Sequence, residues 1–170
     1  MVSNGFALTP ELFRKIIQAG MLSLTISLDG LEEAHDWFRG QKGSFERAIK
    51  AIRLAASEPG LTFDVVTCVH QRNINILHKL RDLLIETGVK KWRIFIIFPK
   101  GRAKDNPELQ LTDEQFRFVY DFIVETRKAG KIHAGAGCEG FLGDYELEAR
   151  DNPFFCHAGI HIGSVLVDGS

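Results

Sequence analysis

The chain has 170 residues, 45% of them hydrophobic and 25% charged, with 21 Lys+Arg set against 22 Asp+Glu. That is enough apolar material for one sizeable core, and a formal net charge of −1 offers no positive field for nucleic acid or an anionic membrane surface. Cys68, Cys138 and Cys156 are too few and too dispersed for a disulfide framework, and no stretch reaches the roughly 18 apolar residues of a membrane span, so the expectation is a cytoplasmic protein with a small-molecule or protein partner.

Val2-Ser3-Asn4-Gly5 reads as the tail of a strand. Thr9-Pro10-Glu11 then supplies a cap and a proline at the first helical position, and Leu12, Ile16 and Ile17 follow at helical spacing up to Gly20. Residues 22–28 read as a strand, 45–56 as a helix and 62–69 as a strand. Asn73 is placed to cap a helix running to Gly88, and Trp92 to Phe98 is an apolar run typical of a strand buried on both faces. Thr112 and Gln115 have capping-box spacing ahead of a helix that ends near Gly130, and residues 131–136 form another short strand. Strands separated by helices imply β–α–β units and a parallel sheet. Beyond Gly137 the alternation lapses, so the expected division is 1–136 for a barrel part and 137–170 for a second unit. The final Val165-Leu166-Val167-Asp168-Gly169 reads as a strand and a hairpin turn, and both ends suggest an internal piece of a longer protein.

In a parallel β/α barrel, ligands meet the loops after the carboxyl ends of the strands. The connection after residues 22–28 is the longest, running through Asp29-Gly30 and His35-Asp36-Trp37-Phe38-Arg39-Gly40 to a helix starting near Ser44, well beyond the usual 2–6 residues of such loops. It concentrates a hydroxyl, two carboxylates, an imidazole and a guanidinium. Arg39 can hold a carboxylate through its planar fork, and Ser27 can donate to the same anion. Equally, Asp29-Gly30 can be a simple turn, with Asp36 and Arg39 paired locally. A different barrel enzyme, a hydrolase pairing Asp29 with Glu139, would need those carboxyl groups within about 10 Å of each other.

The string Ile26-Ser27-Leu28-Asp29-Gly30, followed by His35-Asp36, Phe38-Arg39-Gly40 and Gly43-Ser44-Phe45, resembles the fourth-strand signature of radical S-adenosylmethionine (radical SAM) enzymes, above all those with a cysteine-rich SPASM or twitch extension. Ser3-Asn4-Gly5 is similar to the end of that family's third strand, Cys68-Val69-His70 with Asn73 to the end of its fifth, and Pro99-Lys100-Gly101-Arg102-Ala103 to the segment after its sixth. The resemblance implies an α/β fold, a partial TIM-type (β/α)6 barrel containing strands 3 to 6 with their helices plus the start of a C-terminal extension. It implies S-adenosylmethionine held by Ser27 and Arg39, with Asn4, Gly5 and Gly101 close by, while Asp29, His35 and Asp36 shape the loop and Asn73 organises a turn. Cys156, followed by Gly159, Gly163 and Asp168-Gly169, resembles the opening of the extension and would be a ligand of an auxiliary iron–sulfur cluster, with Cys138 as a second candidate.

The implied activity is that of an iron–sulfur oxidoreductase that reductively cleaves S-adenosylmethionine to a 5′-deoxyadenosyl radical and abstracts hydrogen from a peptide, protein or small molecule. The alternative is a non-catalytic binding protein on the same fold. Cys68, Cys138 and Cys156 lack the close spacing that three ligands of one 4Fe–4S cluster require, so the piece by itself is expected to carry no cluster and to be inactive. An unpaired edge at the first strand is expected to favour a dimer.

Overall fold

The computed structural model describes residues 1–137, 140–160 and 163. Its sheet is parallel throughout, in the order β1 (Val2–Ser3), β2 (Ser23–Ser27), β3 (Thr62–Val69), β4 (Lys91–Ile96) and β5 (His133–Ala136). Sequential neighbours pairing in parallel require a crossover each time, and helices supply it: α1 (Pro10–Gln18), α2 (Glu32–Arg39), α3 (Ser44–Ala56), α4 (Leu77–Glu86) and α5 (Asp113–Ala129). The α/β barrel-type expectation holds. The strand at 131–136 joins the same sheet as β5, its Trp92↔Ala134 register fixed alongside β4.

Local chemistry explains the helix boundaries. The Thr9 hydroxyl accepts from the Leu12 N–H at 3.1 Å, with Pro10 just inside α1. Thr112 and Gln115 complete a reciprocal capping box at 3.2 and 2.9 Å. Two expectations need correction. The stretch after β2 is not one long loop, because Glu32 and Glu33 favour the amino end of a helix dipole and Gly40, at φ +63°, closes α2 in the left-handed conformation. The Asn73 side chain does not cap a helix: its amide bridges the corner after β2 and the end of β3, and a 3-10 turn at Ile74–Ile76 precedes α4.

Alternation within the strands separates two environments. Leu24, Ile26, Val65, Val69, Trp92 and Ile94 lie buried in the core, and α3, α4 and α5 contribute Ile52, Leu80 and Phe122 to it. The Trp92 indole N–H donates to Thr67 Oγ1 at 2.8 Å, and that hydroxyl donates to the Leu28 carbonyl at 2.6 Å, so the polar atoms in this layer are satisfied across three strands. Thr25, Asp64 and Arg93 form a buttressing network, with Arg93 bonded to both Asp64 and Thr25.

Gly5 sits where β1 meets α3. Its φ is +71°, and an added Cβ would lie 2.9 Å from the Ala51 Cβ. Both strain and crowding oppose a side chain there. Gly5→Ala should therefore lower stability by about 2 kcal/mol, read as a lowered midpoint in chemical denaturation; an unchanged midpoint would show that α3 shifts freely away from β1.

Residues 142–151, beyond the boundary expected at 136, pack back on β5 and α5: the Ala136 N–H donates to the Ala149 carbonyl, Tyr145 donates to Asp121 at 2.6 Å, and Arg127 pairs with Asp151 at 2.7 Å. Among the described residues no helix is long and apolar enough to cross a membrane.

Candidate ligand-binding site

The carboxyl ends of the strands open into a cleft of about 1130 Å³. Inward-facing strand residues Val66, Cys68 and Phe95 form its floor, Asn4 and Phe6 one side, and Trp37, Phe38, Arg39 and Ser44 another. The segment after β4 overhangs it with Lys100, Ala103, Asn106 and Glu108. Two contacts tie that segment to the loop after β3: Arg72 pairs with Glu108 at 2.8 Å, and the Gln71 amide donates to the Gln110 carbonyl at 2.7 Å. Arg72 also lies 3.9 Å from the centre of the Trp37 ring.

Asp29 organises the wall. Its carboxylate is fully buried, and Oδ2 accepts from Arg39 Nε at 2.7 Å and Nη2 at 2.6 Å while Oδ1 accepts from the Cys68 N–H at 2.9 Å. The Asp29 N–H donates to His35 Nδ1 at 3.0 Å. One face of the Arg39 fork is thus held by Asp29, which leaves only its remaining N–H groups for any other partner, and the local Asp36–Arg39 pair does not form. Asp36 instead accepts from the Gly43 and Phe45 N–H groups at 2.6 and 2.8 Å, fastening the start of α3. Partial burial works against its charge, but those two donors outweigh it and hold its pKa below the usual carboxylate value.

Two histidines are buried beside this wall. Burial lowers the pKa of His35; the Asp29 charge opposes that shift and Arg39 reinforces it. His70 stacks on Phe38 with ring centres 4.9 Å apart, and its Nδ1 accepts from the Arg72 N–H at 3.2 Å. Burial pushes its pKa down to about 4, and its Nε2 has no hydrogen-bond partner among the described residues. Asn73 joins the two loops: its Nδ2 donates to the carbonyls of Asp29 and Cys68 at 2.6 and 2.8 Å, and its Oδ1 accepts from the His70 N–H at 2.8 Å.

The expected site residues are thus unevenly placed. Asn4 and Arg39 line the cleft. Ser27 ends β2 in register with the cleft residue Val66 and is 8% exposed. Ser27, Gly5 and Gly101 are not among the lining residues; Gly5 packs on α3, and Gly101, at φ +57°, opens a 3-10 turn. Cys156 is an exposed free thiol, while Cys138, Glu139 and the Asp168-Gly169 turn lie outside the described residues. Asp29 is buried against Arg39, which removes it as the exposed carboxylate of a hydrolase. The sequence reading missed Ser44, Trp37, Phe38 and Phe95 as cleft residues; the aromatic spacing on α2 was the available signal once that segment is recognised as helical.

These features define a β/α barrel-type protein with a ligand cleft at the carboxyl ends of its strands, walled by donors for an anion and by apolar side chains. A Radical SAM superfamily model matches residues 1–84, and the chain belongs to that superfamily, whose members use S-adenosylmethionine and a 4Fe–4S cluster. It is 32% identical to an AdoMet-dependent heme synthase of Methanosarcina barkeri over 81% of this chain and 39% of that protein. It is also 32% identical to the mycofactocin maturase MftC of Mycolicibacterium smegmatis, over 98% of this chain and 48% of the relative. The solved structure of native anSMEcpe with bound AdoMet and a Cp18Cys peptide superposes with a TM-score of 0.61 over 78% of this chain and 39% of that one, at 16% identity, which establishes the shared fold. The chain therefore spans between about two fifths and half the length of these relatives.

The donor set fits S-adenosylmethionine: a guanidinium, amides and the Ser44 hydroxyl suit an amino-acid end, and Phe95, Ile96 and Ile97 give an apolar surface for an adenine. It does not fit the cluster. Among the described residues no group of three His, Cys, Asp or Glu side chains is placed to hold a metal.

Proposed function

We propose that this chain forms the S-adenosylmethionine-binding part of a radical SAM oxidoreductase that reductively cleaves the cofactor and abstracts hydrogen from a peptide, protein or small-molecule substrate. The cleft carries this reading: Asn4, Arg39 and Ser44 converge with Phe95 and Ile97 around a volume suited to one nucleoside-sized ligand. Arg39, steadied by buried Asp29, binds the carboxylate of the amino-acid end, together with Ser27 at the end of β2. The family's cluster supplies the reducing electron when bound. Cys68, Cys138 and Cys156 do not have the spacing for three ligands of that cluster, so on this reading the 170 residues alone do not catalyse the cleavage, and Cys156 is a ligand of an auxiliary cluster in the parent protein.

The test is anaerobic reconstitution of the full-length protein with iron and sulfide, followed by a reductant and assay for 5′-deoxyadenosine. Product is expected, and its absence from a correctly loaded protein would remove the catalytic reading. In parallel, Asn4→Ala should weaken S-adenosylmethionine binding about tenfold by isothermal titration, whereas unchanged affinity would place the cofactor elsewhere.

A further inference from the structure

His35 is wholly buried, yet both of its ring nitrogens have partners: the Asp29 N–H at 3.0 Å from Nδ1 and the Ser44 Oγ at 3.3 Å from Nε2. An N–H can only donate, so Nδ1 must be the lone-pair nitrogen. The other charged groups around the ring are Asp29, whose Oδ2 is 3.7 Å from Nδ1, then Arg39 and Asp36. Burial keeps the ring neutral, which leaves its one proton on Nε2. Nε2–H then donates to Ser44 Oγ, and the hydroxyl, with a lone pair occupied, keeps its own hydrogen for another acceptor.

Ser44 is 2% exposed but forms part of the cleft wall together with Asn4 and Arg39. Among the described residues His35 is the one hydrogen-bond partner of its hydroxyl. Nearby backbone donors are largely committed: the Gly43 and Phe45 N–H groups at the start of α3 are taken by Asp36, and the Ser44 N–H by the Gln41 carbonyl.

Resting on the cofactor reading above, we propose that Ser44 is a further binding residue for the ligand's carboxylate, and that His35 is its positioning residue. The pair works as a one-way relay: the Asp29 N–H sets the tautomer of His35, and the tautomer sets the direction of the Ser44 O–H.

The test compares S-adenosylmethionine with its decarboxylated analogue as titrants of the full-length protein. Ser44→Ala is expected to weaken S-adenosylmethionine about tenfold and to leave the decarboxylated analogue unchanged. His35→Asn keeps an acceptor for the Asp29 N–H but removes the Nε2 donor, and is expected to weaken the same ligand about threefold. Nitrogen-15 NMR of the wild-type imidazole should show the proton on Nε2. Equal affinity of wild type and Ser44→Ala, equal weakening of both ligands, or a proton on Nδ1 would each overturn the proposal. A wild type that binds neither ligand would instead overturn the cofactor reading beneath it.

Discussion

Asp29→Ala should lower the free energy of unfolding by about 3 kcal/mol, the expected cost of removing one partner from a buried, hydrogen-bonded ion pair. The carboxylate accepts from two nitrogens of Arg39 and from the Cys68 N–H, so its loss strands a partly buried guanidinium and a strand-end amide together. Arg39 is 27% exposed on its side chain, and water reaching it places the figure at the lower end for such pairs. Guanidinium denaturation of wild type, Asp29→Ala, Arg39→Met and the double variant closes a cycle. The double variant should be less damaged than the sum of the singles. Additive losses would mean that Asp29 acts through Cys68 alone.

The second large effect is on acid stability. His70 titrates at about 4 in the folded chain against an ordinary 6.5, so the unfolded state takes up the proton first as pH falls. The contribution of neutral His70 is complete above pH 6.5, declines as pH drops from 6.5 toward 4, and has been lost by about pH 4. It amounts to about 3 kcal/mol at 1.36 kcal/mol per pKa unit. Lowered His35 adds in the same direction. Denaturation midpoints measured from pH 7 to pH 4.5 should fall steadily, and His70→Phe, which retains the stack on Phe38, should flatten much of that slope. A wild-type midpoint constant across the window would refute the account.

The parallel sheet was legible in the sequence because the central strands β2, β3 and β4 are short β-rich segments and some helices carry their own punctuation, such as Thr9-Pro10 and the Thr112/Gln115 box. The second helix was not. Its eight residues carry two adjacent glutamates at one end and adjacent Trp37 and Phe38 near the other, with no helical apolar stripe, and those aromatics turn toward His70 and the cleft rather than toward the main core. Within the site, Asn4 was identifiable by residue type just after β1, and Arg39 by residue type in the connection after β2. The partner that holds Arg39 was not, since Asp29 lies ten positions away and reaches it only when α2 folds back over the end of β2. Nor could spacing reveal that Asn73 bonds to the carbonyls of Asp29 and Cys68 instead of capping a helix: an amide side chain suits both tasks, and tertiary contact decides.

That single amide has an engineering consequence. Asn73 holds the Asp29 and Cys68 carbonyls within reach of one nitrogen, which welds the corner after β2 to the corner after β3. The two cannot be exchanged separately: a loop graft from another barrel protein into either one inherits the geometry of its neighbour, and a working transplant must carry residues 28–45 and 67–74 as one module.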